Sequence, residues 1–309
     1  MVLALKILFG IGKTFVFFGL GAAALKWKIF TKEEAVHFSR FAIDVLTPFL
    51  TFYSIVRNFS RQDGAAFWQL PLIGFGIVFF NLLCGYALQY GLKQKTPRRM
   101  ATFVHLASVN NYLYLPLILV ESLYGMKAVA YLFLMSVGTT VGFWTCGMAA
   151  LAGSDWKKAV RNILNPNIAA VALAIPCVLL EIPLPPALLE LFFDIGKGSI
   201  ALCLMLTGCA VFSAGVRLMA FRFDAIYTVI VRLVILPVLT VLLLKLIPLK
   251  KELMDVALVV ALMPASCASA LVVKQYGGSS DFAGQSIMFS TICSAVTIPL
   301  FLYLISLWG

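Results

Sequence analysis

Charged residues are scarce in this sequence, and histidine is nearly absent. Only 12% of the 309 residues are Asp, Glu, Lys or Arg, and there are two histidines. Hydrophobic residues make up 62% of the chain, and the mean hydropathy is +0.99. One soluble core cannot bury so much apolar surface. The composition therefore excludes a soluble globular protein and predicts an all-α polytopic membrane protein, whose main surroundings are the lipid bilayer.

Catalytic and metal-binding patterns are also missing. The seven cysteines lie in apolar runs without a Cys-x-x-Cys pair, which argues against a zinc site and a disulfide framework. There is no HExxH, GxSxG, phosphate-binding loop or dinucleotide fingerprint, so we expect neither an enzyme nor a cofactor. A membrane enzyme acting on lipid-linked substrates would need acidic or histidine clusters at one membrane face, and the short loops are poor in them.

The net charge of +11 is explained by membrane topology. Lysine and arginine gather in short gaps between apolar runs, so we expect no nucleic-acid partner. Runs of roughly 20 apolar residues predict ten membrane spans. These lie at about 3–24, 35–56, 68–92, 99–123, 128–152, 163–181, 187–214, 223–247, 253–275 and 282–307. The gaps after the odd-numbered spans hold most of the basic residues, which predicts that both termini face outward from the cell inner membrane.

The ten spans divide into two halves of five. We predict a first five-helix repeat over 1–152, a cytoplasmic linker over 153–162 and a second repeat over 163–309. Spans four and nine both end in Tyr-Gly, and Gly125 and Gly277 are 152 positions apart. An odd number of spans in each half inverts the second half relative to the first. Inverted repeats of this kind are typical of secondary transporters.

Polar residues interrupt spans four and nine at corresponding positions. In "SVNNYLYLPLILV" two amides precede a proline, and we predict that the helix unwinds from Asn110 to Pro116. In "ALMPASCASALVV" we predict a second break at Pro264. The free N–H groups of two crossing broken helices would form an anion site. The side chains of Asn110, Asn111, Tyr112, Ser266 and Ser269 would add hydrogen bonds to it. The alternative is a pair of proline kinks that only shape helix packing.

Ionisable and hydroxyl side chains inside the spans are further candidates. Asp44, one turn before Pro48, and Glu121, one turn after Pro116, are candidates for coupling to H⁺ or Na⁺; the alternative for each is a structural carboxylate. The remaining candidates each have a structural alternative: His105 is a proton relay or a packing residue, and Arg232 is an anion partner or a snorkelling side chain. Asp194 and Lys197 form an ion pair or a substrate clamp. Thr47 and Thr51 line the cavity or pack within the helix bundle.

Three stretches resemble the auxin efflux carrier family, the PIN-like transporters of ten helices in the bile acid, auxin and arsenite transporter superfamily. They are "FAIDVLTPFLTF", "SVNNYLYLPLILVESLYG" and "ALMPASCASALVVKQYGGSSDFAGQSIMFSTICSAVTIPLFLYL". The resemblance implies a scaffold and a transport subdomain, with helices four and nine crossing at their breaks. It also implies small organic anions as substrates, such as malate, malonate or indole-3-acetate, and is compatible with a homodimer.

The family's site residues correspond to particular positions here. Its asparagine before the fourth-helix proline resembles Asn110 or Asn111, and its prolines resemble Pro48, Pro116 and Pro264. One position departs from the family, because Tyr114 stands where a glycine is usual, and a phenol there would narrow the site. The alternatives are a sodium-coupled symporter of the bile-acid type, which shares the inverted repeat, and a ligand sensor that has lost transport.

Overall fold

The computed structural model describes residues 2–151, 163–215 and 223–308. The described residues form helices and the connections between them. Their one extended pairing is an isolated antiparallel bridge between Asn110 and Ala265. The predicted linker over 153–162 lies outside the described residues.

Fifteen α-helices are labelled here in chain order. They are α1 Val2–Lys26, α2 Lys32–Phe41, α3 Thr47–Asn58, α4 Gly64–Leu88, α5 Pro97–Ser108, α6 Tyr114–Tyr124, α7 Met126–Gly142, α8 Met148–Ala150, α9 Pro166–Leu179, α10 Pro186–Gly215, α11 Phe223–Ile230, α12 Leu236–Lys245, α13 Lys251–Ala261, α14 Ala268–Gln275 and α15 Ser280–Trp308. Single π-helical turns at Ala42–Leu46, Phe143–Gly147 and Val231–Ile235 join α2 to α3, α7 to α8 and α11 to α12.

Several helices are long and apolar enough to cross a bilayer. In the described part of the chain there are five: Arg61–Gly91, Met126–Ala150, Pro186–Phe212, Phe223–Lys245 and Ser280–Leu307. The apolar helices α6 and α9 are shorter. Large apolar side chains are exposed along the outer helix faces, among them Leu72, Leu173, Leu191, Leu242 and Val296. The protein is therefore a multi-pass membrane protein whose exposed apolar faces suit contact with lipid.

Each of the two interrupted spans is a pair of helices. The predicted span 99–123 consists of α5 and α6, and the predicted span 253–275 consists of α13 and α14. The predicted extent of the first break is wrong at one end, because non-helical backbone ends at Leu113 and Pro116 lies in the first turn of α6. The first turn of a helix leaves its N–H groups unpaired, so a residue without an N–H is tolerated there.

A glycine with positive φ follows each of the two broken helices. Gly125 follows α6 with φ 81°, and Gly277 lies two residues after α14 with φ 73°. Backbone at these angles is unfavourable for residues that carry a Cβ atom. The Tyr-Gly endings noticed in the sequence are thus two turns that both need glycine.

The helices pack in two groups. In the first group α1, α2 and α3 surround α10, and α9 packs on α3; in the second, α4, α5 and α7 pack with α11 to α15. The groups meet where α3 contacts α7, where α1 contacts α6 and where α10 contacts α15. In an apolar stretch of 18 residues within Met126–Ala150, 78% of the residues are buried, against at most 44% in the corresponding stretches of the other four long helices, so this helix lies at the centre of the molecule.

Glycines allow the closest approach between α4 and α7. A Cβ atom added to Gly138 of α7 would overlap the Pro71 carbonyl oxygen of α4, and one added to Gly74 of α4 would overlap the Met135 carbonyl oxygen of α7. The two backbones therefore touch directly at two points, an arrangement typical of small residues at membrane helix interfaces.

We expect Gly138→Ala to separate α4 from α7 and to lower the free energy of unfolding by about 1–3 kcal/mol, the usual cost of overpacking. The matched control is Gly76→Ala in α4, where an added Cβ meets no atom within 4 Å. Thermal unfolding of both variants in detergent checks this. Equal melting temperatures would contradict the close contact.

Candidate functional site

The two helix breaks lie against each other. The Asn111 N–H donates to the Pro264 carbonyl at 2.8 Å, and the Ser266 N–H donates to the Val109 carbonyl at 3.4 Å. These bonds flank the bridge between Asn110 and Ala265 and make a short antiparallel pairing. Backbone groups that leave one helix are thus satisfied by those that leave the other.

The adjacent amides of Asn110 and Asn111 have different surroundings. Successive side chains in extended backbone point to opposite sides. Asn110 is fully buried, and its Nδ2 donates to the Val260 carbonyl at 2.6 Å, while Asn111 is 5% exposed. Within the described ranges the side chain of Asn111 makes no hydrogen bond. Of the two amides predicted to bind substrate, Asn110 ties the breaks together and Asn111 stays uncommitted.

The amide of Asn110 compensates for a proline. In an uninterrupted helix the Val260 carbonyl would accept the N–H of residue 264, but Pro264 has none. Asn110 Nδ2 supplies a donor to this carbonyl. Its Oδ1 is buried and has no partner among the residues described.

The broken helices present ends of opposite polarity at the crossing. The negative C-terminal ends of α5 and α13 lead into the breaks, and the positive N-terminal ends of α6 and α14 lead out of them. Tyr114 is four residues from Asn110, and Ala268 is three residues from Ala265. At roughly 3.5 Å per extended residue, both positive ends lie within about 14 Å of the bridge. Two positive helix ends at this distance from the bridge can bind an anion.

Two of the predicted hydroxyl ligands are already bonded. The Ser269 Oγ lies 3.0 Å from His105 Nε2, whose Nδ1 lies 2.8 Å from the Gly147 carbonyl. A carbonyl accepts only, so Nδ1 carries the proton and Ser269 donates to Nε2. The Tyr112 hydroxyl lies 3.2 Å from Thr140 Oγ1. His105 is a satisfied buried residue in this arrangement, and the buried Ser266 is the hydroxyl whose side chain makes no hydrogen bond among the described residues.

Arg232 lies at the crossing, fully buried. Its Nε donates to the Met263 carbonyl at 3.0 Å, and its Nη1 donates to the Ala107 carbonyl at 2.8 Å. Of the two alternatives given for this side chain, snorkelling to the interface is therefore wrong. The guanidinium is held inside because both breaks leave carbonyl groups that need donors.

Pro48 lies two residues after the π-helical turn Ala42–Leu46, and side chains donate to two carbonyls of that turn. Thr47 Oγ1 donates to the Ala42 carbonyl at 2.7 Å, and Asn167 Nδ2 donates to the Ile43 carbonyl at 3.2 Å. Thr51 Oγ1 donates to Asn167 Oδ1 at 3.3 Å. Thr47 and Thr51 are thus buried packing residues.

The two candidate coupling carboxylates have different neighbours. Asp44 is exposed on the π-helical turn, within electrostatic range of Arg40 and of Tyr114 at the start of α6. Glu121 is half-buried and within electrostatic range of Lys13 on α1. Glu121 lies on α6 itself, seven residues after its start, while Asp44 is the carboxylate with an electrostatic neighbour at the first residue of α6.

Other charged groups form pairs away from the breaks. Asp194 and Lys197 make the predicted ion pair at 2.6 Å on the exposed face of α10. Asp224 is buried at the start of α11, where its carboxylate lies 3.0 Å from Arg99 Nε and accepts the backbone N–H of Lys93 at 2.8 Å. The Arg99–Asp224 pair was missed in the sequence because its partners are 125 positions apart with no shared motif.

A polar surface cavity of about 350 Å³ lies beside the start of α13. Its charged lining residues are Asp63, Lys127, Lys250, Lys251 and Glu252. Lys127 already lies 3.7 Å from Asp63 and 3.9 Å from Glu252, which accepts the Tyr131 hydroxyl at 2.9 Å. Much of its charge is therefore internally neutralised, and we favour the breaks as the candidate site.

Comparison with known proteins shows the family of this chain. The family model described as "Membrane transport protein" matches residues 7–160 and 150–302. The chain belongs to this family, the auxin efflux carriers. The uncharacterized transporter YfdV of Escherichia coli (strain K12) is 20% identical over 301 residues, which cover 92% of this chain and 93% of the relative. The transporter of the same name from Shigella flexneri matches to the same extent.

Asn167 was not identified from the sequence, although the stretch "NPN" at 165–167 marks a helix start with an amide on each side of a proline.

We expect Asn167→Ala in this family member to lower the free energy of unfolding by about 1–3 kcal/mol, because the Ile43 carbonyl loses its donor. The control is Asn58→Ala, which removes an amide bonded only within its own helix, to the Ser54 carbonyl. Urea or thermal unfolding compares them; an equal or smaller loss for Asn167→Ala would contradict its bridging role.

Proposed function

We propose that this chain is a secondary active transporter, an efflux carrier or proton-coupled permease, that moves a small organic anion across the inner membrane by alternating access. The substrate class is a dicarboxylate or an auxin-like carboxylate. The observation that carries the proposal is the pairing of two helix breaks beside the positive ends of α6 and α14, with the Asn111 amide uncommitted. Family membership supports transport as the activity.

The proposed architecture is ten transmembrane helices in two inverted five-helix repeats, 1–152 and 163–309, joined by a cytoplasmic linker, with both termini outside. The matching Gly125 and Gly277 turns and the corresponding breaks support it. The helix group around α10 would be the scaffold, and the group that contains the breaks would be the transport subdomain. Sliding of one group along the other would expose the anion site to each side in turn.

The proposed energy source is an ion gradient or the membrane potential. The sequence contains no ATP-binding motif. The potential drives an anion outward by about 2.3 kcal/mol per charge per 100 mV. Efflux would therefore be favourable even without a coupled ion, while uptake would need one.

A thermal-shift screen of the purified protein against mono- and dicarboxylates, indole-3-acetate and sodium tests the substrate class. A ligand at 100 times its dissociation constant stabilises the folded state by about 2.7 kcal/mol. A carboxylate that raises the melting temperature supports the proposal. Stabilisation by sodium alone would favour the sodium-coupled symporter, and no shift with any carboxylate would contradict the anion site.

Alanine variants of Asn110 and Asn111 should differ, one losing stability and the other losing carboxylate binding. We expect Asn111→Ala to abolish the carboxylate-induced shift while leaving the ligand-free melting temperature unchanged, because its side chain has no hydrogen-bond partner among the described residues to lose. Asn110→Ala should lower the ligand-free melting temperature, since the Val260 carbonyl loses a donor. Carboxylate binding that survives in Asn111→Ala would remove this amide from the site.

Asp44 is the proposed proton-coupling group. We expect Asp44→Asn to flatten the pH dependence of substrate uptake into proteoliposomes, because the variant side chain no longer exchanges a proton. The matched control is Asp194→Asn, another exposed Asp whose partner is Lys197 on the same helix. An unchanged pH profile in Asp44→Asn would assign this carboxylate a structural role.

A further inference from the structure

The charge of Arg232 has an unusual environment. The side chain is fully buried, and no acidic group among the described residues lies within 4 Å of it. Its two hydrogen bonds go to backbone carbonyls, and its Nη2 has no acceptor in the part of the chain that the structure describes. A buried cation normally pairs with an anion. Backbone dipoles must therefore stabilise this one.

The two carbonyls are those that the helix breaks leave unpaired. In an unbroken helix the Ala107 carbonyl would accept the Asn111 N–H, but that N–H donates to Pro264 instead. Met263 lies in the second break, two residues after the end of α13. Both carbonyls thus belong to the C-terminal, negative ends of broken helices.

Cations bind at such ends in transporters with discontinuous helices. Unwound carbonyls and C-terminal half-helix ends coordinate the coupling ion, while N-terminal half-helix ends face the anionic substrate group. Here the guanidinium supplies a positive charge and two donors to carbonyls of that kind. The place of a bound cation is therefore filled by a side chain of the protein.

We propose that Arg232 is a covalently attached replacement for a coupling cation, and that it holds the two breaks in their paired form without bound sodium. The inference deepens the proposed function, since the paired breaks are the proposed anion site. Removal of the side chain should open a site for a small monovalent cation. Sodium and guanidinium ions are the probes.

The experiment compares the wild type, Arg232→Ala and Arg98→Ala in detergent by thermal unfolding. Arg98 is exposed, so Arg98→Ala removes the same charge as Arg232→Ala without leaving a buried cavity. Each protein is measured in sodium chloride, in N-methylglucamine chloride and with non-denaturing guanidinium chloride, at equal ionic strength. We expect only Arg232→Ala to gain stability from sodium or guanidinium, by roughly 4 °C at saturating ion.

Wild-type protein that is stabilised by sodium over N-methylglucamine would overturn the proposal, as would an Arg232→Ala variant that neither ion stabilises. If Arg232→Ala does not fold, Arg232→Lys takes its place, because it keeps the charge and loses one of the two donors in fixed geometry. This variant should fold, be less stable than the wild type and gain nothing from sodium or guanidinium, because its ammonium group already occupies the place of the cation; stabilisation of Arg232→Lys by either ion would overturn the proposal. No carboxylate is present in these measurements, so a failed carboxylate screen leaves their outcome unaffected.

Discussion

Backbone groups that lose their helical partners at membrane depth must find new ones inside the protein, and the rest of this structure depends on that requirement. Two breaks that meet satisfy most of each other's needs through the bonds from Asn111 to Pro264 and from Ser266 to Val109. The groups that remain are carbonyls near the C-terminal ends of the first half-helices, where the N–H groups of the next turn are missing or directed elsewhere. Asn110 and Arg232 supply donors to three of them.

This arrangement separates charge across a short distance. The negative helix ends face a permanent internal cation, and the positive helix ends remain for an external anion. A site of this kind binds an anion without moving a second ion into place. It also explains why a chain with so few ionisable residues keeps a fully buried arginine in an apolar segment.

The sequence alone predicted the helical class, the membrane setting, the family and both interruptions, because each rests on composition or on a local motif. It placed the end of the first break too far along the chain, at Pro116, because the local sequence around a proline is similar whether the proline lies in the first turn of a helix or in an unwound segment. It treated Asn110 and Asn111 alike, because their separation comes from extended backbone that forms only against the second break. The positions of Arg232 and Asn167 depend on contacts over 125 and 124 positions, which no local pattern contains.

The most direct test of the account is a cryo-electron microscopy map of the protein with the carboxylate that gives the largest thermal shift. The account predicts ligand density between the N-terminal ends of α6 and α14, within hydrogen-bonding distance of the Asn111 amide. Density in the cavity lined by Lys127, Lys250 and Lys251, with the breaks unoccupied, would contradict it.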